Sequence, residues 1–245
     1  MSKSLALLAL FAFVVAGCNQ GSSLTGLKIV DISKGDGGEF DHKAPVKNGD
    51  RAYVLYTGKL ADGTVFDSNE QTGQKVFSFT VGGGEVIKGW DQGLLGMVVG
   101  GERNISVPPS LGYGNQDNGK IPANSDLFFH IKLMDVIPAG GEADVLTDDL
   151  KKGDGPEAGP GKKVTISYTI NDLKGGEIDS NDLTWTIGTD KVYPAIELGL
   201  KGMRQGGIRV LRLGPGAAIQ EYTAGIKPPS LDLVQILRVK LVKVE

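Results

Sequence analysis

An internal repeat constrains this chain more than any other feature of its sequence. Motifs of the first half return in the same order in the second half, at offsets of 118, 112 and 106 residues. The pairs are Lys34-Gly35-Asp36-Gly37 with Lys152-Gly153-Asp154-Gly155, Tyr56-Thr57 with Tyr168-Thr169, Asp67-Ser68-Asn69 with Asp179-Ser180-Asn181, Gly96-Met97 with Gly202-Met203, and Arg103 with Arg209. Because the offset falls twice by six, we expect two copies of one domain, the second with shorter loops at two places. Pro138-Ala139-Gly140-Gly141 predicts a linker, which places the domains at 27–137 and 144–245 and the linker at 138–143.

Most of each copy has the period-two pattern of half-buried strands. Apolar side chains alternate with hydroxyl-bearing ones at Val164, Ile166, Tyr168 and Ile170. Phe77–Val81 and Ile105–Val107 are alike. The last segment of each copy, Leu127–Val136 and Leu233–Val244, is long and rich in β-forming residues, which predicts a central strand.

One stretch in each copy has helical spacing instead. In the first copy one face carries Val86, Ile87, Trp90, Leu94 and Leu95, between a glycine triplet at 82–84 and Gly96. In the second copy Val192, Ile196 and Leu200 repeat this face, with Pro194 in the first turn. Each copy is therefore expected to be an antiparallel sheet that covers one short helix, an α+β architecture.

The composition excludes several classes of function. Acidic residues outnumber basic ones by 29 to 26, whereas nucleic-acid-binding proteins are normally basic, so no nucleic acid is expected as a partner. One cysteine and two histidines, His42 and His130, give no cluster for a metal site or a catalytic thiol, and we expect neither a metal nor a cofactor. Residues 114–120 imitate a phosphate-binding loop, but Ile121 stands where that loop requires Ser or Thr.

The N-terminus carries a targeting signal. Residues 1–17 combine Lys3 with an apolar run of about 13 residues, shorter than the ~20 of a spanning helix, which predicts a signal peptide that is removed. Val15-Ala16-Gly17-Cys18 resembles the lipobox of bacterial lipoproteins. We therefore expect lipidation of Cys18 to anchor the chain to a membrane of the bacterial cell envelope, with residues 18–26 as a tether. Asn19 favours the outer membrane, facing the periplasm or the cell surface; a plain secretory signal is the alternative.

Five motifs of the first copy together resemble the FKBP family. They are Tyr56-Thr57-Gly58-Lys59-Leu60, Asp62-Gly63-Thr64-Val65-Phe66-Asp67-Ser68, Gly84-Glu85-Val86-Ile87-Lys88-Gly89-Trp90, Leu111-Gly112-Tyr113-Gly114 and Ile121-Pro122-Ala123-Asn124. The resemblance covers 27–137 nearly end to end and 144–245 more weakly. Members of this family are peptidyl-prolyl cis/trans isomerases that also bind macrolides such as rapamycin. The resemblance implies a twisted antiparallel β-sheet wrapped around a short α-helix, with the site between them and proline-containing polypeptides as substrates.

The resemblance also implies a role for each site residue. Trp90 would form the floor of the pocket. The apolar walls would be Tyr56, Phe77, Val86, Ile87 and Phe129, with Phe66 nearest the proline ring. Tyr113 and Ile121 would lie in a loop that closes over the ligand, Tyr113 offering its hydroxyl to the substrate carbonyl, and Asp67 would be the carboxylate of the pocket. Catalysis is expected to depend on Phe66, Asp67 and Tyr113. Taken singly, most of these side chains also suit an ordinary core.

The second copy departs from this pattern at the positions that matter. It keeps Tyr168, Asp179 and Val192. The exchanged positions are Ile178 for Phe66, Ile196 for Trp90, Ile219 for Tyr113 and Leu237 for Phe129. The loop before its helix is also expected to be six residues shorter. We therefore expect a degenerate FKBP-like domain without appreciable isomerase activity or macrolide affinity.

The leading functional hypothesis is an envelope-anchored prolyl isomerase that assists the folding of secreted or outer-membrane proteins through its first copy. The alternative is a non-catalytic lipoprotein, a chaperone or scaffold, that holds unfolded polypeptide or a partner protein. A third possibility is a surface-exposed factor that acts on host proteins.

Overall fold

The computed structural model describes residues 24–38, 43–71, 74–141, 145–189, 191–214 and 234–245. The expected signal peptide, Cys18 and most of the tether lie outside these residues, as does Ile219. Within them, the chain forms two antiparallel sheets, one for each copy of the repeat, and each sheet packs against one short helix. This confirms the expected α+β architecture.

The first sheet is built from residues 28–137. Its elements are β1 (Lys28–Ser33), β2 (Arg51–Lys59), β3 (Val65–Ser68), β4 (Phe77–Thr80), α1 (Lys88–Gly93), β5 (Glu102–Val107) and β6 (Leu127–Ile137). The strand order is β1-β5-β6-β2-β3, and β4 pairs with β2 on the same side as β3. The long strand β6 therefore lies in the middle, as its composition predicts.

The second sheet repeats this order with one strand fewer among the described residues. Its elements are β7 (Val145–Lys151), β8 (Lys163–Asn171), β9 (Glu177–Thr186), α2 (Pro194–Leu200), β10 (Ile208–Leu213) and β11 (Gln235–Val244). The order is β7-β10-β11-β8-β9, with β11 in the middle. Along β8, Val164, Ile166, Tyr168 and Ile170 are all buried, in agreement with their period-two spacing.

The second of the two six-residue shortenings, from an offset of 112 to 106, lies elsewhere than expected. In the first copy the chain leaves the sheet after β3 and returns to it as β4, whereas β9 pairs with β8 from Glu177 to Thr186 without such an excursion. The loop before the helix has one length in both copies: Asp91 accepts a hydrogen bond from the Gly82 amide, and Glu197 accepts one from the Gly188 amide, both at an offset of 106. The expectation of a shorter loop before α2 was therefore wrong, because the shortening lies between the counterparts of β3 and β4.

Helix α1 is shorter than its apolar spacing predicts. Ile87 has extended backbone angles and serves as the N-cap, so Val86 and Ile87 precede the helix. Leu95 follows it and is 37% exposed, so it does not belong to the buried face. Gly96 has a φ of +79°, a conformation that ends the helix and that a side chain would disfavour. In α2, Pro194 stands in the first turn as expected.

A repeated arginine joins the helix to the edge strand in both copies. The Arg103 guanidinium binds the Asp31 carboxylate at 2.5 Å and donates to the carbonyls of Gly93 and Leu95, at the end of α1. In the second copy Arg209 makes the same contacts with Asp149, Gly199 and Lys201. The hydrogen bond from Arg209 holds the pKa of Asp149 below its usual range. This shared contact explains why the arginine recurs.

The two copies also contact each other through a junction that the repeat does not duplicate. A buried ion pair joins Arg212 of β10 to Asp135 of β6 at 2.5 Å, and Arg212 donates to the carbonyl of Val136 at 2.9 Å. Beside it, Tyr53 and Ile137 of the first copy form an apolar cluster with Val234 of the second. The counterpart of Arg212 in the first copy, at an offset of 106, is Ser106. The ion pair therefore belongs to the junction and not to the repeat.

Candidate functional site

Trp90 is the centre of an aromatic cluster between α1 and the first sheet. Its indole lies 4.9 Å from the ring of Tyr56, 5.2 Å from Phe129 and 6.0 Å from Phe77, measured between ring centroids. All three contacts are edge-to-face, the geometry that the ring quadrupoles favour. Phe66 meets Phe129 at 5.6 Å in the same geometry. The structure thus brings together four of the expected walls around the expected floor.

The depth of the expected site residues varies in a graded way. Trp90, Phe66, Phe129 and Ile121 are all at least nine-tenths buried. Tyr56, Val86 and Ile87 are half-buried against the same core. Phe77 and Tyr113 are more than a third exposed, at 39% and 37%, so they lie at the rim. A ligand in this cluster would therefore meet rigid buried rings below and accessible rings at its edge.

The polar part of the site is a hydrogen bond between Tyr56 and Asp67. The Tyr56 hydroxyl donates to the carboxylate at 2.5 Å, and Asp67 also accepts the backbone N–H of Ser68. Burial raises the pKa of Tyr56 well above its ordinary value, and the hydrogen bond and negative charge of Asp67 raise it further. Tyr56 therefore remains a neutral hydrogen-bond donor throughout the physiological range.

The loop that carries Tyr113 and Ile121 is closed by its own backbone. The Asn124 N–H donates to the carbonyl of Gly114 at 2.7 Å, and the Asn118 N–H donates to that of Ile121 at 3.0 Å. Asn124 has a φ of +58°, which is rare outside glycine but accessible to asparagine. These bonds hold Ile121 in the core and leave Tyr113 at the surface beside the aromatic cluster.

Gly58 is a site residue that the sequence analysis missed. A Cβ atom at this position would lie 2.6 Å from Cζ of Phe66 and 2.9 Å from Cε1 of Phe129, closer than such atoms approach. The absence of a side chain on β2 therefore makes room for both rings. The available signal was a glycine inside a strand pattern, which often marks a close approach.

Two further features of the site were not predicted. Phe79 is fully buried, with its ring 5.6 Å from that of Trp90, and it extends the cluster beneath Phe77. The indole N–H of Trp90 is buried and has no hydrogen-bond partner among the described residues. The floor of the site therefore contains one donor directed into apolar surroundings.

The second copy keeps the polar pair but exchanges the residues around it. The Tyr168 hydroxyl donates to Asp179 at 2.9 Å, and burial together with this bond raises the pKa of Tyr168 to about 12. At the position of Gly58 stands Ile170, which is 1% exposed in the core, next to its strand partner Leu237. Ile196 is fully buried where the first copy has Trp90. Aliphatic side chains thus stand at the positions of Gly58, Trp90 and Phe129, in a core that also contains Tyr168, Trp185 and Tyr193.

The first comparison with known proteins concerns the family as a whole. The family model described as FKBP-type peptidyl-prolyl cis-trans isomerase matches residues 42–134 and 155–235, one segment in each copy and together well over half of the chain. The chain belongs to the FKBP family. Both copies of the repeat are therefore FKBP domains, and the cluster around Trp90 lies in the first of them.

Individual relatives agree with this assignment. FK506-binding protein 2 of Yarrowia lipolytica is 42% identical over 138 residues, which cover 56% of this chain and 94% of that protein. FK506-binding protein 4 of Chaetomium thermophilum is 47% identical over 111 residues, 45% of this chain and 23% of the relative, so the chain matches about a quarter of that longer protein. Among solved structures, the crystal structure of the three FKBP domains of wheat FKBP73 covers 90% of this chain and 95% of its own, at 21% identity and a TM-score of 0.41.

Proposed function

We propose that this FKBP catalyses cis–trans isomerisation of X–Pro bonds in polypeptides and that its first copy carries the activity. The observation that supports this most directly is the buried aromatic cluster of Trp90, Phe66 and Phe129, open at the rim formed by Phe77 and Tyr113. The membership of both copies in the family supports the reaction class.

The chemistry of the cluster suits this reaction. Rotation about an X–Pro bond breaks no covalent bond but loses amide resonance, with a barrier of ~18–20 kcal/mol. An apolar pocket removes water from the substrate carbonyl and can fit the twisted amide better than either planar form, which favours the transition state. Lowering the barrier by about 4 kcal/mol would accelerate exchange roughly a thousandfold.

The residues divide this work by position. The Trp90 indole forms the surface on which the proline ring rests, and Phe66 and Phe129 form its buried sides. The Tyr113 hydroxyl, at the exposed rim, donates to the carbonyl of the substrate. Asp67 holds the hydroxyl of Tyr56 and so fixes the polar side of the cavity. These same surfaces would bind a macrolide such as rapamycin, which would then inhibit catalysis.

The second copy is proposed to be inactive. Ile170 stands where the first copy has Gly58, and Ile196 replaces the indole floor. Tyr168 and Asp179 are retained, but that pair without the indole floor does not make an isomerase site.

The deciding experiment is a proline-limited refolding assay on the chain that lacks residues 1–18, with and without rapamycin. The repeat supplies a matched pair of variants, Asp67→Ala in the first copy and Asp179→Ala in the second. We expect acceleration that rapamycin abolishes, that Asp67→Ala lowers and that Asp179→Ala leaves unchanged. No acceleration by a folded protein would contradict catalysis and favour the binding alternative, in which polypeptide holding would survive Trp90→Ala.

We further propose that the chain acts in the bacterial cell envelope, lipid-anchored through Cys18 to the outer membrane, where it assists folding of exported proteins. The support is the sequence before Cys18. Among the described residues, no helix has the length and apolar character that crossing a bilayer requires. Labelling of cells with a fatty-acid analogue should mark the chain and not its Cys18→Ser variant; equal labelling of the two would contradict the anchor.

A further inference from the structure

The excursion between β3 and β4 connects two parts of the proposed site and is specific to the first copy. Asp67 lies on β3 immediately before it, and Phe77 begins β4 immediately after it. In the second copy β9 continues through the corresponding region. The described residues of this excursion, 69–71 and 74–76, therefore need contacts of their own to fix where β3 and β4 stand.

Asn69 supplies the contacts within the first copy. Its side chain is buried, accepts the N–H of Tyr56 at 2.8 Å, and donates to the carbonyls of Val54 and Lys75 at 3.0 and 3.1 Å. Its own N–H donates to the carbonyl of Tyr56 at 3.1 Å. One amide side chain thus ties both ends of the excursion to β2 at the residue that holds Asp67.

Lys174 of the second copy supplies the contacts from outside. Its ammonium donates to the carbonyls of Asn69, Gln71 and Gln74 at 2.7, 3.2 and 2.8 Å. An ammonium has three N–H donors, so the three carbonyls use all of them. Hydrogen bonds from a charged donor are stronger than neutral ones, and Lys174 is half-buried, which limits competition from water.

The internal repeat shows that the turn around Lys174 does not itself require a lysine. This turn, at residues 172–176, has the same backbone bonds as the turn at 60–64, for example from Gly175 N–H to the Asp172 carbonyl and from Gly63 N–H to that of Leu60. At the matching position the first copy has Asp62, which is exposed and binds within its own turn. The lysine is therefore explained by what it contacts across the junction.

The position of Lys174 is fixed by the junction between the copies. Its neighbour Leu173 packs against the apolar cluster of Tyr53, Ile137 and Val234. The buried Arg212–Asp135 pair holds the two sheets together beside it. The second copy therefore holds Lys174 against the excursion through contacts on the same side of the junction.

We propose that Lys174 is a positioning residue for the isomerase site of the first copy, an inference that rests on the proposed function. The Lys174 ammonium binds carbonyls at both ends of the excursion and thereby fixes the position of Asn69. Asn69 in turn fixes the distance between Asp67 and Phe77, on either side of Tyr56. The second copy thus completes the site of the first from outside the cavity.

The test uses the full chain and three variants. Lys174→Met removes the donors and keeps the length of the side chain, Lys174→Arg restores donors, and Lys162→Met changes an exposed lysine in another turn of the same copy. We measure kcat and KM for a proline peptide, rapamycin affinity, the melting temperature, and amide hydrogen exchange at Asn69 and Tyr56.

We expect Lys174→Met to lower kcat/KM about five- to tenfold, less than the roughly hundredfold that a misplacement of about 1 Å can cost. In the same variant, amide exchange at Asn69 and Tyr56 should accelerate, and the melting temperature should stay near that of the parent. Lys174→Arg should recover most of the activity. Lys162→Met should match the parent. Unchanged kcat/KM, or lost activity with unchanged exchange, would overturn the positioning role alone. An inactive parent chain would overturn the proposed function and this inference with it.

Discussion

At the scale of single residues, Gly58 marks a difference between the cores of the two copies. The same strand position carries no side chain in the first domain and the buried side chain of Ile170 in the second. The rings of Phe66 and Phe129 occupy the volume that a side chain would need. The packing of these two rings in the first copy thus depends on a residue without a side chain.

We predict that Gly58→Ala lowers kcat/KM by at least about tenfold and costs about 1–3 kcal/mol of stability, because an added methyl group overpacks a filled core. Kinetics on a proline peptide and urea unfolding would measure the two effects. Thr57→Ser, on the opposite face of the same strand, should change neither. Full activity of the alanine variant would mean that the rings move aside at no cost.

The retained tyrosine of the second copy predicts a pH dependence of stability. Burial, and then the bond to Asp179, raises the pKa of Tyr168 to about 12. The pKa of Tyr168 in the folded state lies above its unfolded value of about 10. Its contribution to the free energy of unfolding is therefore complete below about pH 10 and is lost as pH rises toward about 12. We expect a loss of about 2–3 kcal/mol over that range. Urea unfolding at several alkaline pH values would show this loss. Tyr168→Phe should reduce the slope of the free energy of unfolding against pH for the second copy. An equal slope in this variant would assign the loss to other groups.

At the scale of elements, the strands could be predicted and the limits of the helix could not. Alternation at Val164 to Ile170 reports directly which side chains face the core, and the structure agrees. Apolar spacing around Trp90 gives no such limit, because Val86 and Ile87 face the core from extended backbone before the helix begins. The repeat offsets gave the length of the six-residue segment that the second copy lacks, but not its position. The repeated residues on either side of it, Asn69 and Gly96, stand far apart in the sequence.

The residue types of the candidate site could be predicted from the sequence. The distances between its side chains could not. The resemblance to the family indicated the rings that surround Trp90, and the structure places them in contact. Gly58, Phe79 and Lys174 were missed because their roles depend on distances between segments that are remote in sequence. Lys174 in particular belongs to another domain.

The arginine that links helix to edge strand predicts a stability effect confined to one copy. Arg103→Met leaves the carbonyls of Gly93 and Leu95 without their donor and Asp31 without its cation. We expect about 2–4 kcal/mol of destabilisation in the first domain. Hydrogen exchange, read separately in the two sheets, would locate the effect, and Arg209→Met should reproduce it in the second. A uniform change across both sheets would contradict the confinement.

At the scale of the whole molecule, the junction makes the two domains depend on each other. Arg212 and Asp135 are both buried, so removal of one leaves the other charge buried without this partner. We expect Asp135→Leu or Arg212→Leu to cost about 3–5 kcal/mol, and the double variant clearly less than the sum. Urea unfolding of the four proteins completes the cycle; strictly additive losses would show that the pair is not coupled.

The filled core around Ile170 has a consequence for the stoichiometry of ligand binding. A tandem of two domains with one fold suggests two equivalents of macrolide for each chain, but the core of the second has Ile170 and Ile196 where the first has Gly58 and the Trp90 indole. A calorimetric titration should therefore reach its end point at one equivalent, and a two-headed macrolide should join these chains only in pairs and not into longer assemblies.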